Sequence, residues 1–198
     1  MSFYNTIEQE GFAEFRDRGS RFLAYAYPFS EPADLKKHLQ ALKKEHLKAV
    51  HFCFAYRVGT TGNQFRSSDD GEPSGTAGKP ILGQIDSRGV TDTLIIVLRY
   101  FGGSLLGVPG LINAYRSAAS MVLQVVPAIK KPVLIYYNIR FNYIEKEVIL
   151  QLLKRLDCKV ISQQNQLFAE MKAGIPAEKC DEFLGALKNI PNVEISTL

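Results

Sequence analysis

The chain has little cysteine and no long apolar run. Its three cysteines, Cys53, Cys158 and Cys180, are odd in number, widely spaced and free of any C-x-x-C pair, which argues against a disulfide framework and fits a reducing compartment. No apolar segment approaches the roughly 18 residues needed to span a bilayer, and residues 1–10 lack the features of a secretory signal. We therefore expect a cytoplasmic protein with no membrane partner and three small, buried cysteines.

Two patterns that bind nucleotides are also missing. A Walker A motif needs a glycine five residues before Gly78 and a hydroxyl after Lys79, but this chain has Pro73 and Pro80 there. The segment that begins at Arg99 lacks the G-x-G-x-x-G spacing of a dinucleotide site. These absences argue against P-loop hydrolysis of ATP, and the sequence predicts no cofactor and no resident metal.

The positive charge is unevenly distributed along the chain. The formal charge of +4 comes from 24 basic and 20 acidic residues. Residues 1–131 hold 16 basic against 12 acidic residues, whereas residues 132–198 hold 8 of each. A basic excess confined to the first part indicates a polyanionic partner.

Hydrophobic periodicity predicts two domains, 1–131 and 132–198, joined at the linker Lys130-Lys131-Pro132. The second domain repeats strands and helices in the order β-α-β-β-α-β, with a turn predicted at Gln163–Gln166 and a strand at Leu167–Lys172. For the first domain the pattern predicts a hairpin (11–18 and 21–27), a helix after Ser30, a strand (51–58), a long polar loop (59–78), a helix (77–87), a buried strand (93–98) and a helix through Val126.

The polar loop ends in a segment rich in glycine, hydroxyl and carboxylate groups, Ser67–Pro80. Glycine lets backbone N–H groups approach a ligand, and the start of the following helix adds partial positive charge, so this segment is a candidate anion site with Lys79 in the first turn. Asp69, Asp70 and Glu72 present oxygen ligands of the kind that Mg²⁺ prefers. They also suit turn formation and capping, and both interpretations stay open.

A second loop, Arg99–Leu111, joins the buried strand to the next helix, where α/β folds present ligands to helix N-termini. Tyr100 and Phe101 directly precede Gly102-Gly103. Paired aromatic residues at this position either pack into the core or form a stacking platform for bases.

Taken together, the two loops resemble the signature of the YigZ/IMPACT family. The resemblance rests on Asp69–Pro73, Gly75–Pro80 and Arg99–Gly103 with Leu106-Gly107, and Ser20–Phe22 and Ala114-Tyr115 also match. It covers the whole chain. Two positions depart from the family pattern: Pro109 replaces a glycine, and Asn113 stands where a basic residue is common, and both weaken an anion cradle at this helix.

The resemblance implies an α+β protein with an N-terminal domain like domain 2 of ribosomal protein S5, followed by a ferredoxin-like C-terminal domain similar to one in elongation factor G. Eukaryotic relatives regulate translation initiation with the help of an additional RWD domain, which we do not expect within these 198 residues. The resemblance therefore predicts a role in the regulation of translation.

We expect a non-enzymatic binding protein that recognises RNA, the ribosome or a translation-associated protein through the two loops. Its alternative is a Mg²⁺-dependent phosphate-ester hydrolase or transferase that uses Asp69, Asp70 and Glu72. A third hypothesis is a protein adaptor whose C-terminal domain binds the partner. The predicted binding residues are Arg21, Asp70, Gly71, Glu72, Gly75, Thr76, Gly78, Lys79, Arg99, Tyr100, Phe101, Gly102, Gly103, Gly107 and Arg116.

Overall fold

The computed structural model describes residues 2–165 and 169–198, which form a mixed α+β chain. The chain divides into two compact units, one of Tyr4–Lys131 and one of Pro132–Leu198 together with Ser2 and Phe3. Each unit buries apolar residues of its own. Among the described residues, no helix is both long and apolar enough to cross a bilayer.

The first unit is built on a five-stranded antiparallel sheet. Its elements are β1 (Phe3–Ile7), β2 (Gly11–Asp17), β3 (Ser20–Pro28), α1 (Leu35–Glu45), β4 (His51–Val58), β5 (Gln64–Ser68), α2 (Gly78–Arg88), β6 (Thr93–Tyr100), α3 (Gly107–Val125) and β7 (Ala128–Pro132). The strand order of the sheet is β2-β3-β6-β4-β5, and β1 and β7 pair in a separate two-stranded ribbon.

The central strand β6 explains how the helices are arranged on this sheet. Ile95 and Val97 pack in a cluster with residues of α2 and α3, whereas Leu94, Ile96 and Leu98 pack in a second cluster with residues of α1. Successive side chains of a strand point to opposite faces. The sheet therefore carries α1 on one face and α2 and α3 on the other, and a strand buried on both sides reads as a continuous apolar run.

Most predicted elements of the first unit are confirmed, including the β2–β3 hairpin and the buried strand β6. One prediction is wrong. The polar loop 59–78 contains strand β5, an edge strand whose exposed residues Gln64–Arg66 hide the alternation that marks a half-buried strand. The segment predicted as a linker, 130–132, coincides with the division between the two units, but it lies within β7, which pairs with the unpredicted strand β1.

The second unit contains β8 (Leu134–Phe141), α4 (Lys146–Arg155), β9 (Lys159–Asn165), β10 (Ala169–Pro176), α5 (Cys180–Leu187) and β11 (Glu194–Thr197). Its sheet has the order β11-β8-β10-β9, and the predicted element order is confirmed.

Two details of the second unit differ from the prediction. The turn predicted at Gln163–Gln166 is wrong for residues 163–165, which continue β9 and pair with β10. Residues 166–168, which include the end of this turn and the first two residues of the predicted strand Leu167–Lys172, lie outside the described residues; the rest of that strand is confirmed in β10. Cys158 is only partly buried, unlike the buried Cys53 and Cys180.

Candidate functional site in the glycine-rich loops

The first glycine-rich loop folds around the carboxylate of Asp69. Its Oδ2 accepts a hydrogen bond from the backbone N–H of Gly75 at 2.8 Å, and its Oδ1 accepts from Ala77 at 3.0 Å and Gly78 at 2.8 Å. The backbone N–H groups of the loop therefore converge on an anion, as predicted, but that anion is the Asp69 side chain of the same loop. Gly78 is also closed to larger residues, because a Cβ there would lie 2.7 Å from the backbone nitrogen of Ser68.

The charge of Asp69 is stabilised by this arrangement. Burial alone would raise the pKa of the carboxyl, but the hydrogen bonds from Gly75, Gly78 and Ala77 and the charge of Lys79 outweigh it, so the pKa is lowered. A charged acceptor near the first turn of α2 also offsets the partial positive charge of that helix end. Asp69 thus acts as the anion that the loop was predicted to bind.

Asp70 and Gly71 form the turn that carries the chain into the site. Both have positive φ angles, 41° and 88° respectively. The Asp70 Oδ2 accepts the Phe52 backbone N–H at 2.7 Å, and its carbonyl oxygen lies 2.8 Å from Nδ1 of His51. Because a carbonyl oxygen can only accept, this contact places a proton on His51 Nδ1. Asp70 therefore fastens the loop to β4.

Glu72 is buried, and its carboxylate has partners on two other elements. Its Oε1 accepts hydrogen bonds from Arg99 Nη1 at 2.8 Å and from the Tyr115 hydroxyl at 2.8 Å. His51 Nε2 lies 3.9 Å from the same oxygen. The ion pair with Arg99 is the contact that joins the first loop to the beginning of the second.

The predicted Mg²⁺ cluster is not assembled in this geometry. Asp69, Asp70 and Glu72 direct their carboxylates to three different sets of partners. Within residues 2–165 and 169–198, no group of three or more histidine, cysteine, aspartate or glutamate side chains is placed to hold a metal ion. These three carboxylates therefore do not form the ligand set that the alternative, a Mg²⁺-dependent reaction, requires.

Arg99 and Tyr100, both in the predicted binding set, lie on opposite faces of the sheet. Arg99 is on the α2 and α3 side, with its guanidinium carbon 5.5 Å from the ring centre of Phe101 and 5.6 Å from that of Phe22. Tyr100 is on the α1 side, where its hydroxyl lies 2.9 Å from Nδ1 of His46. Because adjacent strand residues alternate, these two residues do not share one surface, whereas Phe101 lies beside Arg99.

The four basic residues of the predicted binding set differ in how accessible they are. Arg99 is only 6% exposed and is paired with Glu72, so the prediction of an accessible Arg99 is wrong. Arg21 is exposed, lies 5.5 Å from the Tyr100 ring centre and is paired with Glu14 at 2.8 Å. Lys79 and Arg116 are exposed on α2 and α3.

The second loop is anchored by Gly102 and exposes apolar side chains. The Gly102 N–H donates to Ser20 Oγ at 3.2 Å, and a Cβ on Gly102 would overlap the carbonyl carbon of Gly19. Beyond this anchor, Phe101 is 50%, Leu105 83% and Val108 51% exposed. Positive φ angles of 86° at Gly103 and 71° at Gly107 carry the loop into α3.

Thr76 is a further predicted residue whose polar group is already used. It is buried, and its hydroxyl donates to the Pro73 carbonyl at 2.6 Å. The Thr76 hydroxyl is therefore not free to contact a ligand.

Of the predicted set, the structure leaves the half-exposed Phe101 as the aromatic group available for stacking.

Sequence reasoning did not assign a site role to His51, Cys53 or Tyr115. From the sequence, Tyr115 is recognised only as a position that matches the family, but its hydroxyl donates to Glu72 and lies 3.4 Å from the Cys53 sulfur. Burial raises the pKa of the Cys53 thiol, as do nearby carboxylates, which favours the neutral thiol over the thiolate. The pairing of β4 with β6 sets His51 opposite Arg99. This strand register was the one signal that could have placed His51 near the site.

These features define a class of protein: a two-unit α+β chain with one glycine-rich loop that folds around its own carboxylate and a second that exposes apolar and aromatic side chains. The profile of the Impact N-terminal domain matches residues 18–123. The chain is 33% identical over 181 residues to "IMPACT family member YigZ" of Escherichia coli, covering 90% of this chain and 89% of that protein. It belongs to the IMPACT family.

Two further comparisons agree with this assignment. "IMPACT family member YvyE" of Bacillus subtilis is 40% identical over 117 residues, which cover 59% of this chain and 54% of that protein. A crystal structure of a hypothetical protein superposes with a TM-score of 0.80 at 30% identity, covering 100% of this chain and 98% of the other. The likeness therefore extends over both units.

Proposed function

We propose that this chain is a non-enzymatic binding protein that acts in the regulation of translation by recognising RNA, the ribosome or a translation factor through its first unit. The link to translation comes from the family resemblance, and the loop geometry supports binding. We also propose a cytoplasmic location.

We further propose that residues 1–131 form a domain like domain 2 of ribosomal protein S5 and that residues 132–198 form a ferredoxin-like domain. The division of the chain near Lys131 supports the boundary. The β-α-β-β-α-β order and the central position of β8 and β10 in their sheet support the second assignment.

The observation that carries the binding proposal is the exposed loop that contains Phe101. Three large apolar side chains, Phe101, Leu105 and Val108, are at least half exposed within eight residues. The loop is nevertheless fixed, because Gly102 packs on the backbone of Gly19. Apolar side chains held in an ordered, exposed position mark an interaction surface.

The environment of Phe101 favours stacking on a nucleic acid base. Its ring is half exposed, and the Arg99 guanidinium lies against it, 5.5 Å from the ring centre. Arg99 is held in place by Glu72 and by packing near Phe22. A ring supported on one side and open on the other is a sequence-tolerant platform for an unpaired base.

The test is binding of the full chain to a labelled single-stranded RNA and to purified ribosomes, measured by fluorescence anisotropy and co-sedimentation. Phe101→Ala should weaken binding about tenfold, because stacking on an aromatic side chain is worth roughly 1–3 kcal/mol per base. Phe65→Ala is the matched control, since Phe65 on the edge strand β5 is 56% exposed. Equal effects of the two substitutions would contradict the assigned surface.

A further inference from the structure

Five lysines lie close together in α1 and just after it, on the face of the sheet opposite α2 and α3. Residues 35–48 contain these lysines and a single carboxylate, Glu45, for a local charge of +4, whereas Glu31 and Asp34 directly precede the helix. We call these lysines the α1 basic surface: Lys36, Lys37, Lys43, Lys44 and Lys48.

The α1 basic surface is free to meet a partner. All five lysine side chains are exposed. Throughout the described part of the chain, none of them forms an ion pair with a carboxylate; the lysine ion pairs are those of Lys131 with Glu8 and Lys179 with Asp157. Lys43 lies over the Phe52 ring at 5.3 Å, which fixes its stem against the sheet. The surface therefore carries ammonium groups that no ion pair among the described residues engages.

Helix geometry arranges these lysines in rows. Lys36 and Lys43 are seven residues apart, as are Lys37 and Lys44, so each pair lies on nearly one side of α1 with its members about 10 Å apart along the axis. The opposite side of α1 is occupied, because Leu35 and Leu42 are buried against the sheet. The helix thus lies flat and presents ammonium groups outward at fixed intervals.

The same face of the sheet continues the basic surface beyond the end of α1. His46, directly after α1, contacts Tyr100, and the Arg21 guanidinium lies over the ring of Tyr100. Arg16 is paired with Arg21 in the strand register, and both contact Glu14. The hydrogen bonds from Arg21 and Arg16 lower the pKa of Glu14 to about 2, so this group keeps a net charge of +1 at neutral pH.

We propose that the α1 basic surface binds the phosphate backbone of an RNA strand. This inference rests on the proposed function and adds a second contact area to it, on the face of the sheet away from Arg99. Spaced ammonium groups with no carboxylate partner suit a polymer of regularly spaced phosphates. An anionic membrane is disfavoured, because the apolar side of α1 is packed on the sheet and only Leu47 and Val50 remain exposed beside the lysines.

The experiment measures the affinity of the full chain for a labelled single-stranded RNA over a series of salt concentrations. The variant Lys36→Gln/Lys37→Gln/Lys44→Gln leaves the contact between Lys43 and Phe52 intact. Lys154→Gln/Lys159→Gln/Lys188→Gln, which changes three exposed lysines of the second unit, is the matched control. Each phosphate contact on a single strand adds about 0.7 to the slope of log affinity against log salt, so the α1 variant should lose a slope of about 2 and roughly a hundredfold in affinity at 0.1 M salt.

The outcomes separate this inference from the proposed function. Loss of affinity and slope in the α1 variant alone supports the inference. Wild-type affinity and slope in the α1 variant overturn it, and if Phe101→Ala still weakens binding, the proposed function stands. Binding to vesicles of phosphatidylcholine and phosphatidylserine that depends on the same lysines, without RNA binding, would overturn it in favour of a membrane. An unmodified chain that binds no RNA overturns the inference, and binding to ribosomes or translation factors then decides the proposed function.

Discussion

Asp69 and Glu72 show how two carboxylates of one loop acquire different structural tasks. Asp69 accepts three backbone hydrogen bonds and closes the loop on itself. Glu72 is buried and ties the loop to β6 and α3 through Arg99 and Tyr115. Both carboxylates are already engaged by hydrogen-bond donors of the protein. The role of these two carboxylates within the loop is therefore structural: both stabilise the position of the loop.

The substitution Asp69→Ala should lower the free energy of unfolding by about 3 kcal/mol, because three backbone N–H groups lose a charged acceptor. Urea unfolding at neutral pH measures this. Asp34→Ala is the control, since Asp34 is exposed and its side chain makes no capping hydrogen bond. Equal stability of the two variants would show that Asp69 does not organise the loop.

The stability difference between the unmodified chain and Asp69→Ala should also depend on pH, and the direction of that dependence follows from the pKa of Asp69. The pKa of Asp69 is lower in the folded chain than its ordinary value. Its stabilising contribution is therefore complete above the unfolded pKa of about 4 and is lost as the pH falls through the folded value. The stability difference between the unmodified chain and Asp69→Ala should shrink below pH 4, and a constant difference down to pH 2 would contradict the assignment.

At the scale of elements, close backbone contact at Gly102 holds the second loop against the hairpin turn of β2 and β3. A Cβ at Gly102 would meet backbone atoms of Gly19 and Ser20 that cannot move aside as a flexible side chain would. The loop position, and with it the exposure of Phe101, depends on this contact. Phe101 is therefore placed by an element that is distant in sequence.

The substitution Gly102→Ala should lower stability by more than 1 kcal/mol, a typical cost of overpacking, and should weaken RNA binding along with Phe101→Ala. Gly83→Ala is the control: Gly83 lies within α2, where an added methyl group would meet open space, and alanine in a helix is favoured over glycine by about 0.5–1 kcal/mol. Thermal unfolding and anisotropy distinguish the two. If Gly102→Ala is as stable as Gly83→Ala, the close contact is not made in solution.

The sequence predicts elements well where burial is strongly patterned. β4 was predicted with its observed bounds, His51–Val58, and β6 was recognised from its continuous apolar run. β5 and β7 were missed, because an exposed edge strand and a short ribbon lack a clear alternation. Local pattern is sufficient only where one face of an element is plainly buried.

The site was predicted less completely than the fold for a different physical reason. Glycine content and spacing located both loops, but the partners of Asp69, Glu72 and Arg99 depend on strand register and on α3. Arg99 and Tyr100 are neighbours in sequence, yet strand alternation sends them to opposite faces. No local sequence pattern shows that the backbone N–H groups of the first loop already donate to Asp69.

At the scale of the whole molecule, the first unit offers two distinct surfaces. In the first unit, the exposed loop around Phe101 and the α1 basic surface lie in different surroundings, one apolar and one charged. The second unit carries no net formal charge over residues 132–198. A partner that is both aromatic and anionic, as RNA is, would therefore engage the first unit, whereas a protein adaptor role would engage the second.

The most direct test of this account is a nuclear magnetic resonance titration of the isotope-labelled full chain with a short single-stranded RNA, following backbone amide signals. We expect the signals of Phe101–Val108 to shift, together with those of Lys36–Lys48, while residues 132–198 change little. Shifts confined to residues 132–198, with Phe101–Val108 unaffected, would contradict the assignment of binding to the glycine-rich loops.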